Sequence, residues 1–506
     1  MNSNTVMTAS PDEPTEAWRP RYHYAPERNW MNDPNGLVWL DGEYHLFYQY
    51  NPEGDDWGHI SWGHAVSTDL VSWQELPVAI PATERMMAFS GCAVVDHGNT
   101  TGFAPPGATT PPLLAFFTGF DPETKIQSQH LAYSLDRGRT FTPYAGNPIL
   151  DIGSTEFRDP KVFWHAASGA WVMLVVAALE QQVWFYRSSD LIHWTRVSTF
   201  GPAGSADDNI WEVPELFELP VDDDPQNRRW VLIVSVNRGS LWGGSGVQYF
   251  TGDFDGTRFV AEPSGCSGPA IADLTLWADH GRDFYAPITF ANMPDDRVVW
   301  MGWVSNWEYA RELPTRPWRG QQSAPRELSL VTTSRGIRLR QRMVGEMLSL
   351  LEPEPLFSLS AQRGEDAANA LSLAEITGRQ LMARMIVNAL CLQSPVGLEF
   401  FKDDAQSLRV GFDPASNSFF IDRRCKDALF PGQSERHDAR RLSGAPELEL
   451  EVWIDGSMVE VLADGGTVAL TDLAYGTATA MGVGFFSRDG IEVQSLELRG
   501  VRPSLR

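Results

Sequence analysis

Cysteine is scarce in this chain: Cys92, Cys266, Cys391 and Cys425 are spread over 506 residues with no close pair. That spacing excludes a disulfide scaffold and a zinc ribbon, and leaves free, mostly buried thiols as the expectation. Positive charge is short as well, with 40 Lys and Arg against 65 Asp and Glu and a formal net charge of −25. Such a field repels polyanions and argues against nucleic acid, phosphorylated ligands or anionic membranes as partners. No apolar run approaches the roughly 20 residues of a membrane span. The first residues, Met1 to Glu16, are polar and acidic rather than a charged-then-apolar leader. The chain as written therefore reads as cytoplasmic, or as secreted had a leader preceded it. His59, His64, His97 and His130 lack metal-ligand spacing, and Gly243-Gly244-Ser245-Gly246 lacks the Lys and helix of a phosphate loop. No metal and no cofactor are expected, and the oligomeric state leaves no mark.

What is abundant is aromatic: 11% of residues, including 19 Trp. Flat rings pack strand-rich cores and also stack on sugars. From Arg21 to about Trp318 one theme recurs. Ser67-Thr68-Asp69-Leu70-Val71-Ser72-Trp73 is echoed at Ser134 to Phe141, at Ser188 to Trp194, and more loosely at Gly252 to Phe259. Short apolar runs such as Leu113 to Thr118, Trp171 to Val176 and Trp230 to Ser235 lie between the echoes and read as strands. The spacing, roughly 50–70 residues, predicts sheets arranged radially; a last unit from Asp283 to Trp303 makes five. After Glu352-Pro353-Glu354-Pro355, alternating segments such as Leu448 to Ile454 and Val459 to Leu462 predict an antiparallel sandwich, with turns at Asp455-Gly456 and Asp489-Gly490. The expected organisation is an all-β chain: an extension over 1–20, a five-bladed β-propeller over 21–335, a linker over 336–355 and a β-sandwich over 356–506.

Three acids stand in related surroundings. Asp33 lies in Trp30-Met31-Asn32-Asp33-Pro34-Asn35-Gly36, Asp159 in Phe157-Arg158-Asp159-Pro160, and Glu212 in Trp211-Glu212-Val213-Pro214-Glu215. Alone, Asp-Pro-Asn-Gly is a turn whose Asp bonds local backbone. Three acids, each beside an aromatic, an Arg or a Pro, read as a site.

These three motifs, in this order and at these wide spacings, resemble the β-fructosidases of glycoside hydrolase family 32: invertases, levanases and exo-inulinases. The resemblance extends to the C-terminal module through Asp455-Gly456-Ser457-Met458-Val459-Glu460-Val461. It also implies a five-bladed propeller. Breaking a glycosidic bond with retention needs a nucleophilic carboxylate and an acid about 5–5.5 Å apart. By resemblance Asp33 is the nucleophile, Glu212 the acid/base, and Asp159 the third acid, which holds sugar hydroxyls. Glu212, between Trp211 and Val213, is expected to stay protonated; hydrogen bonds are expected to keep Asp33 ionised, and Arg158 to do so for Asp159. Asn32, Gln49, Trp57, Phe89, Ser90, Arg158, Asp283 and Trp307 match the family's fructose-binding pattern.

Many relatives have Trp-Glu-Cys-Pro-Asp where this chain has Val213 and Glu215. Trp307-Glu308-Tyr309 with Leu313-Pro314-Thr315 looks more like the levanase and exo-inulinase branch than the sucrose-phosphate branch. The implied activity is release of terminal β-fructosyl units from sucrose or fructans such as levan and inulin. A fructosyltransferase using the same residues is the close alternative, and a carbohydrate-binding propeller without turnover is the alternative of another class.

Overall fold

The computed structural model describes residues 15–504 except 206–208, 264–274, 404–405, 425–428, 431, 434, 477–478 and 488–490. Nearly all regular structure is strand, and Gly364–Leu373 is the one α-helix among the described residues. Five strands organise the first half: β1 (Asn29–Leu40), β2 (Met87–Val95), β3 (Phe157–His165), β4 (Ile210–Val221) and β5 (Tyr285–Thr289). Each begins an antiparallel run that proceeds outward. From β3, for example, the order is Ala170–Ala177, Gln182–Ser188 and Thr195–Phe200. The five lie side by side in sequence order, and β5 returns to β1, so they close a ring.

Hydrogen bonding groups these runs into four sheets, because the runs that begin at β4 and β5 are joined by one parallel bridge between Val221 and Leu330. The first sheet is completed from far along the chain. Trp318–Arg319 pairs in parallel with the start of β1, Asn29 facing Trp318 and Trp30 facing Arg319.

The recurring Ser-x-Asp segments are the hairpins between the third and fourth strands of the first three runs. Asp69, Asp136 and Asp190 each accept backbone N–H bonds from residues two to four positions on, and each also takes the hydroxyl of the Ser two residues before. Asp255 does the same for Thr257 and Arg258 in the fourth. The fifth run turns through Thr333 instead. Lacking the Asp signal, its last strand was expected as linker, yet Gly336–Met343 pairs along its whole length with Arg326–Thr333.

The second half is two antiparallel sheets, of six and five strands. Met385, Val452, Val461 and Leu470 from one meet Leu398, Val410, Phe412 and Phe419 from the other in a single apolar core. The alternation read from the sequence is the alternation of inward and outward side chains. Asp455-Gly456 turns the hairpin between Glu447–Asp455 and Met458–Ala463; Asp489-Gly490 lies outside the described residues. Of the four cysteines, Cys92 is buried and Cys391 is exposed, both free; Cys266 and Cys425 lie outside the described residues.

The two halves meet through buried charge. Arg326 pairs with Asp279 at 3.0 Å and with Glu460 at 2.5 Å, and His23 bridges Asp455 and Glu460 at 3.0 and 2.7 Å. The Asp455 carboxylate also accepts the backbone N–H groups of Arg21, Tyr22 and His23.

Candidate active site

The inner strands share one irregularity. The pairing of each with its outer neighbour shifts register near its start: between Met31 and Pro34, Ala88 and Gly91, Arg158 and Lys161, Glu212 and Glu215, and Tyr285 and Ile288. These are bulges, which bend a strand and re-aim side chains beside sites. Asp159, Val213 and Ala286, each just before a Pro, carry positive φ of 64°, 46° and 49°. A β-branched residue such as Val213 holds that conformation only when its surroundings impose it, at a cost of about 1–3 kcal/mol. The Asp33-Pro34-Asn35-Gly36 stretch is accordingly not a hairpin turn: it lies within β1, with Gly36 at φ 52° and a second register shift between Asn35 and Val38. The turn comes later, at Asp41-Gly42.

The bulges bring three acids together at one end of the ring. Asp33 is buried; its Oδ2 accepts the Ser90 hydroxyl at 2.9 Å, and its buried Oδ1 has no hydrogen-bond partner. Asp159 is buried, and its Oδ2 accepts the Val213 N–H at 2.9 Å, while its own N–H donates to Thr118 Oγ1 at 2.8 Å. Glu212 is partly exposed. Arg158 Nε lies 3.2 Å from Glu212 Oε1, and the Tyr285 hydroxyl donates to Glu212 Oε2 at 2.5 Å. Arg158 also donates to Gln127 at 3.2 Å and pairs with Glu156.

Burial, with the charges of Glu212 and Asp159 adding to it, pushes Asp33 up to about 7, and the neighbouring Asn32 amide and the Ser90 bond only partly oppose this. Asp159 is pushed up to about 7 in the same way: burial leads, Arg158 opposes it, and Glu212 adds to it. The expectation that both stay ionised is therefore corrected. Hydrogen bonds and the Arg are present, but desolvation outweighs them, and the one guanidinium is shared: Arg158 Nε is 4.0 Å from Asp159 and 3.2 Å from Glu212. The surroundings expected of Glu212 are corrected too. Trp211 and Val213 turn into two apolar cores, and Glu212 faces Arg158 and Tyr285.

The other expected residues divide. Asn32 is buried beside Asp33, with its Oδ1 accepting Trp30 Nε1 at 2.7 Å. Gln49 lies behind Ser90's strand and donates to the Ala88 carbonyl at 3.0 Å. Phe89 stacks on Phe120 with ring centroids 4.8 Å apart and meets the edge of Trp57 at 6.0 Å, and all three rings are half-buried. Trp307 stacks on Trp30 at 5.9 Å and packs on Trp303 at 4.9 Å. Its N–H is held by Ser245 Oγ at 3.1 Å, at the end of the Gly-rich loop. Gly244, at φ 64°, has no room for a side chain, since a Cβ there would lie 2.0 Å from Asn306 Oδ1.

Asp283 is not brought to the acids. It is fully buried where the two halves meet, paired with Arg423 at 2.7 Å and bonded by Tyr309 and the Leu473 N–H. The chain enters β5 from the sandwich edge, so the residue two before the strand faces that edge. Glu215 is buried against Lys161 at 2.8 Å and Thr289 at 2.7 Å.

Tyr285 was missed. Burial and the neighbouring Glu212 raise its phenol well above its ordinary value, so it remains a donor. A signal existed: Asn32, Arg158, Glu212 and Tyr285 all stand two residues before a Pro, at Pro34, Pro160, Pro214 and Pro287. Among the described residues no group of three or more His, Cys, Asp or Glu is arranged to hold a metal ion.

This geometry has counterparts. Residues 23–342 match the Glycosyl hydrolases family 32 N-terminal domain, and residues 360–500 match the Glycosyl hydrolases family 32 C terminal. A levanase of Bacillus subtilis is 39% identical over 96% of this chain and 71% of that protein. An extracellular exo-inulinase of Aspergillus niger is 37% identical over 90% of this chain and 89% of its own length. The crystal structure of an exo-inulinase from Aspergillus awamori superimposes with a TM-score of 0.89 at 32% identity, covering 98% of this chain and 100% of that one. Matched through both its halves, the chain belongs to glycoside hydrolase family 32.

Proposed function

We propose that this glycoside hydrolase is a retaining β-fructosidase that removes terminal β-fructosyl units from sucrose and fructans. The carrying observation is the convergence of Asp33, Asp159 and Glu212 from three different strands, with Arg158 shared by the latter two. Asp33 Oδ1, buried and unpartnered while Oδ2 is fixed by Ser90, suits a nucleophile that forms a covalent fructosyl-enzyme. Glu212, partly exposed and steadied by Arg158 and Tyr285, suits the acid that protonates the leaving oxygen and then, as a base, activates water. Asp159, fixed by the Val213 N–H, suits bonding to sugar hydroxyls as charge develops on the ring. Asp33 and Asp159, both raised by burial and by the charge of Glu212, keep a protonated carboxyl available within the set. Trp57, Phe89 and Trp307 offer flat faces to the sugar.

Five inner strands in a closed ring support reading the first half as a five-bladed propeller, with the nine-stranded sheet counted as two blades. The propeller then runs through Met343, and the sandwich begins at Phe357. The net charge of −25 favours a neutral substrate over a phosphorylated one. Relatives named extracellular support action outside the cell.

The test is free glucose and fructose released from sucrose, with levan and inulin in parallel. Equal release of the two sugars from sucrose, abolished in Glu212→Ala, is expected. A fructose deficit would mean transfer to sugar rather than hydrolysis, and no release from any of the three would overturn the reading.

A further inference from the structure

The ring has a second cavity, at the end away from the three acids. Along β3 and β4 the acids come first, at Asp159 and Glu212, and the cavity is lined further on by Lys161 to Trp164 and Leu216 to Glu218. Between the two ends lies a buried plug, in which Lys161 Nζ meets Glu215 at 2.8 Å and Thr289 Oγ1 at 3.1 Å, and Thr289 bonds Glu215. The cavity is about 360 Å³, within the range of small-ligand sites.

Its chemistry narrows the ligand. Most of the wall is apolar or aromatic, with Val95, Phe217 and Phe290 among the lining residues. At its edge Trp164 is 50% exposed, although its cross-strand partner Trp171 is edge-on to it at 5.2 Å. Polar groups are few. They are Glu218, the Lys161 ammonium, Thr289, and His97, bonded at 2.9 Å to Asn292, which also lines the cavity. Lys161 is already neutralised by Glu215, so the cavity offers no net positive charge to an anion. A purely apolar ligand would make no use of the rim groups Glu218 and His97, which keep hydrogen-bonding capacity beyond their bonds to Arg228 and Asn292. A ring with an apolar face and a rim of hydroxyls satisfies both conditions.

We propose that this cavity is a second carbohydrate-binding site, which holds a fructosyl unit of a neutral fructan on the face opposite the acids. The identity of the sugar rests on the β-fructosidase reading above. The second site tethers polymer without cleaving it, because it holds no paired acids.

The test is electrophoresis of Glu212→Gln protein through gels containing levan or inulin, beside the same protein carrying Trp164→Ala or His97→Ala. Both added substitutions are expected to weaken retardation, by about 2- to 10-fold in apparent Kd for the Trp, while each alone leaves kcat/KM on sucrose unchanged. Because Trp164 is half exposed on β3 and His97 is exposed in the turn that follows β2, circular dichroism with either variant separates lost binding from lost fold. Unchanged retardation in both variants, with the parent enzyme active on fructan, overturns the second site alone. A parent inactive on sucrose, levan and inulin overturns the β-fructosidase reading, and the assignment of this sugar with it.

Discussion

At the scale of single residues, the site is a contest between burial and charge. Asp33 and Asp159 both stand near 7 in the folded protein against an ordinary 3.8. Folding therefore favours their protonated forms. This favourable contribution is complete below about pH 3.8 and is lost as pH rises through about 7. Asp33→Asn should accordingly raise Tm by a few degrees at pH 8 and by little at pH 4, while abolishing turnover. Thermal melts at the two pH values check it, and equal shifts at both would refute the burial argument. Tyr285→Phe removes the hydroxyl that donates to Glu212 Oε2. We expect kcat to fall by roughly 10-fold, with KM nearly unchanged. A pure KM effect would make Tyr285 a substrate contact instead. The acids were legible in the sequence because their motifs are long and chemically unusual. Tyr285 was not, because an uncharged aromatic in a strand start reads as core. Asp283 misled because its neighbours match a pattern while its side chain faces the other half of the molecule.

At the scale of elements, the strands were legible wherever apolar runs met turn chemistry. The Asp-capped hairpins gave the period of the repeat, and the one hairpin without an Asp hid the strand Gly336–Met343. Bulges were invisible, because a register shift depends on the partner strand rather than on local sequence. The Gly-rich loop shows what such elements do for the site. Gly244→Ala would push a Cβ into Asn306 and displace Trp307 from its stack on Trp30. Losing an aromatic face of that kind costs about 0.5–1.5 kcal/mol. Steady-state kinetics should show KM raised about 2- to 10-fold on sucrose and fructans, with the melting temperature lowered by a few degrees because Ala is strained at this positive φ; an unaltered KM would mean that Trp307 does not touch the sugar.

At the scale of the whole molecule, buried charge joins the two halves. Burial would lower His23, but Glu460 and Asp455 hold it up at about 9. Burial would raise Glu460, but Arg326 and His23 hold it down at about 2. The His23 contribution is complete below pH 6.5 and is lost as pH rises through 9. That of Glu460 is complete above pH 4.5 and is lost as pH falls through 2. The interface is therefore strongest between about pH 4.5 and 6.5. Arg326→Met, which leaves Glu460 and Asp279 buried without their cation, should destabilise by about 3–5 kcal/mol. His23→Gln should lower Tm at pH 6 and much less at pH 10, and a pH-independent shift would argue for lost packing instead. Pairing between distant segments is the part of the architecture that the sequence conceals, since Arg326, Asp279 and Glu460 carry no local sign of one another.

Completion of the first sheet by Trp318–Arg319 against Asn29 and Trp30 also sets a timetable for the newborn chain. During synthesis β1 emerges about 290 residues ahead of the strand that completes its sheet. At about 5–20 residues per second, its free edge waits on the order of 15–60 s for that partner. For that interval the edge is an open template for pairing with other chains, so the yield of correctly folded enzyme in a cell should depend on translation speed and on what shields the nascent β1.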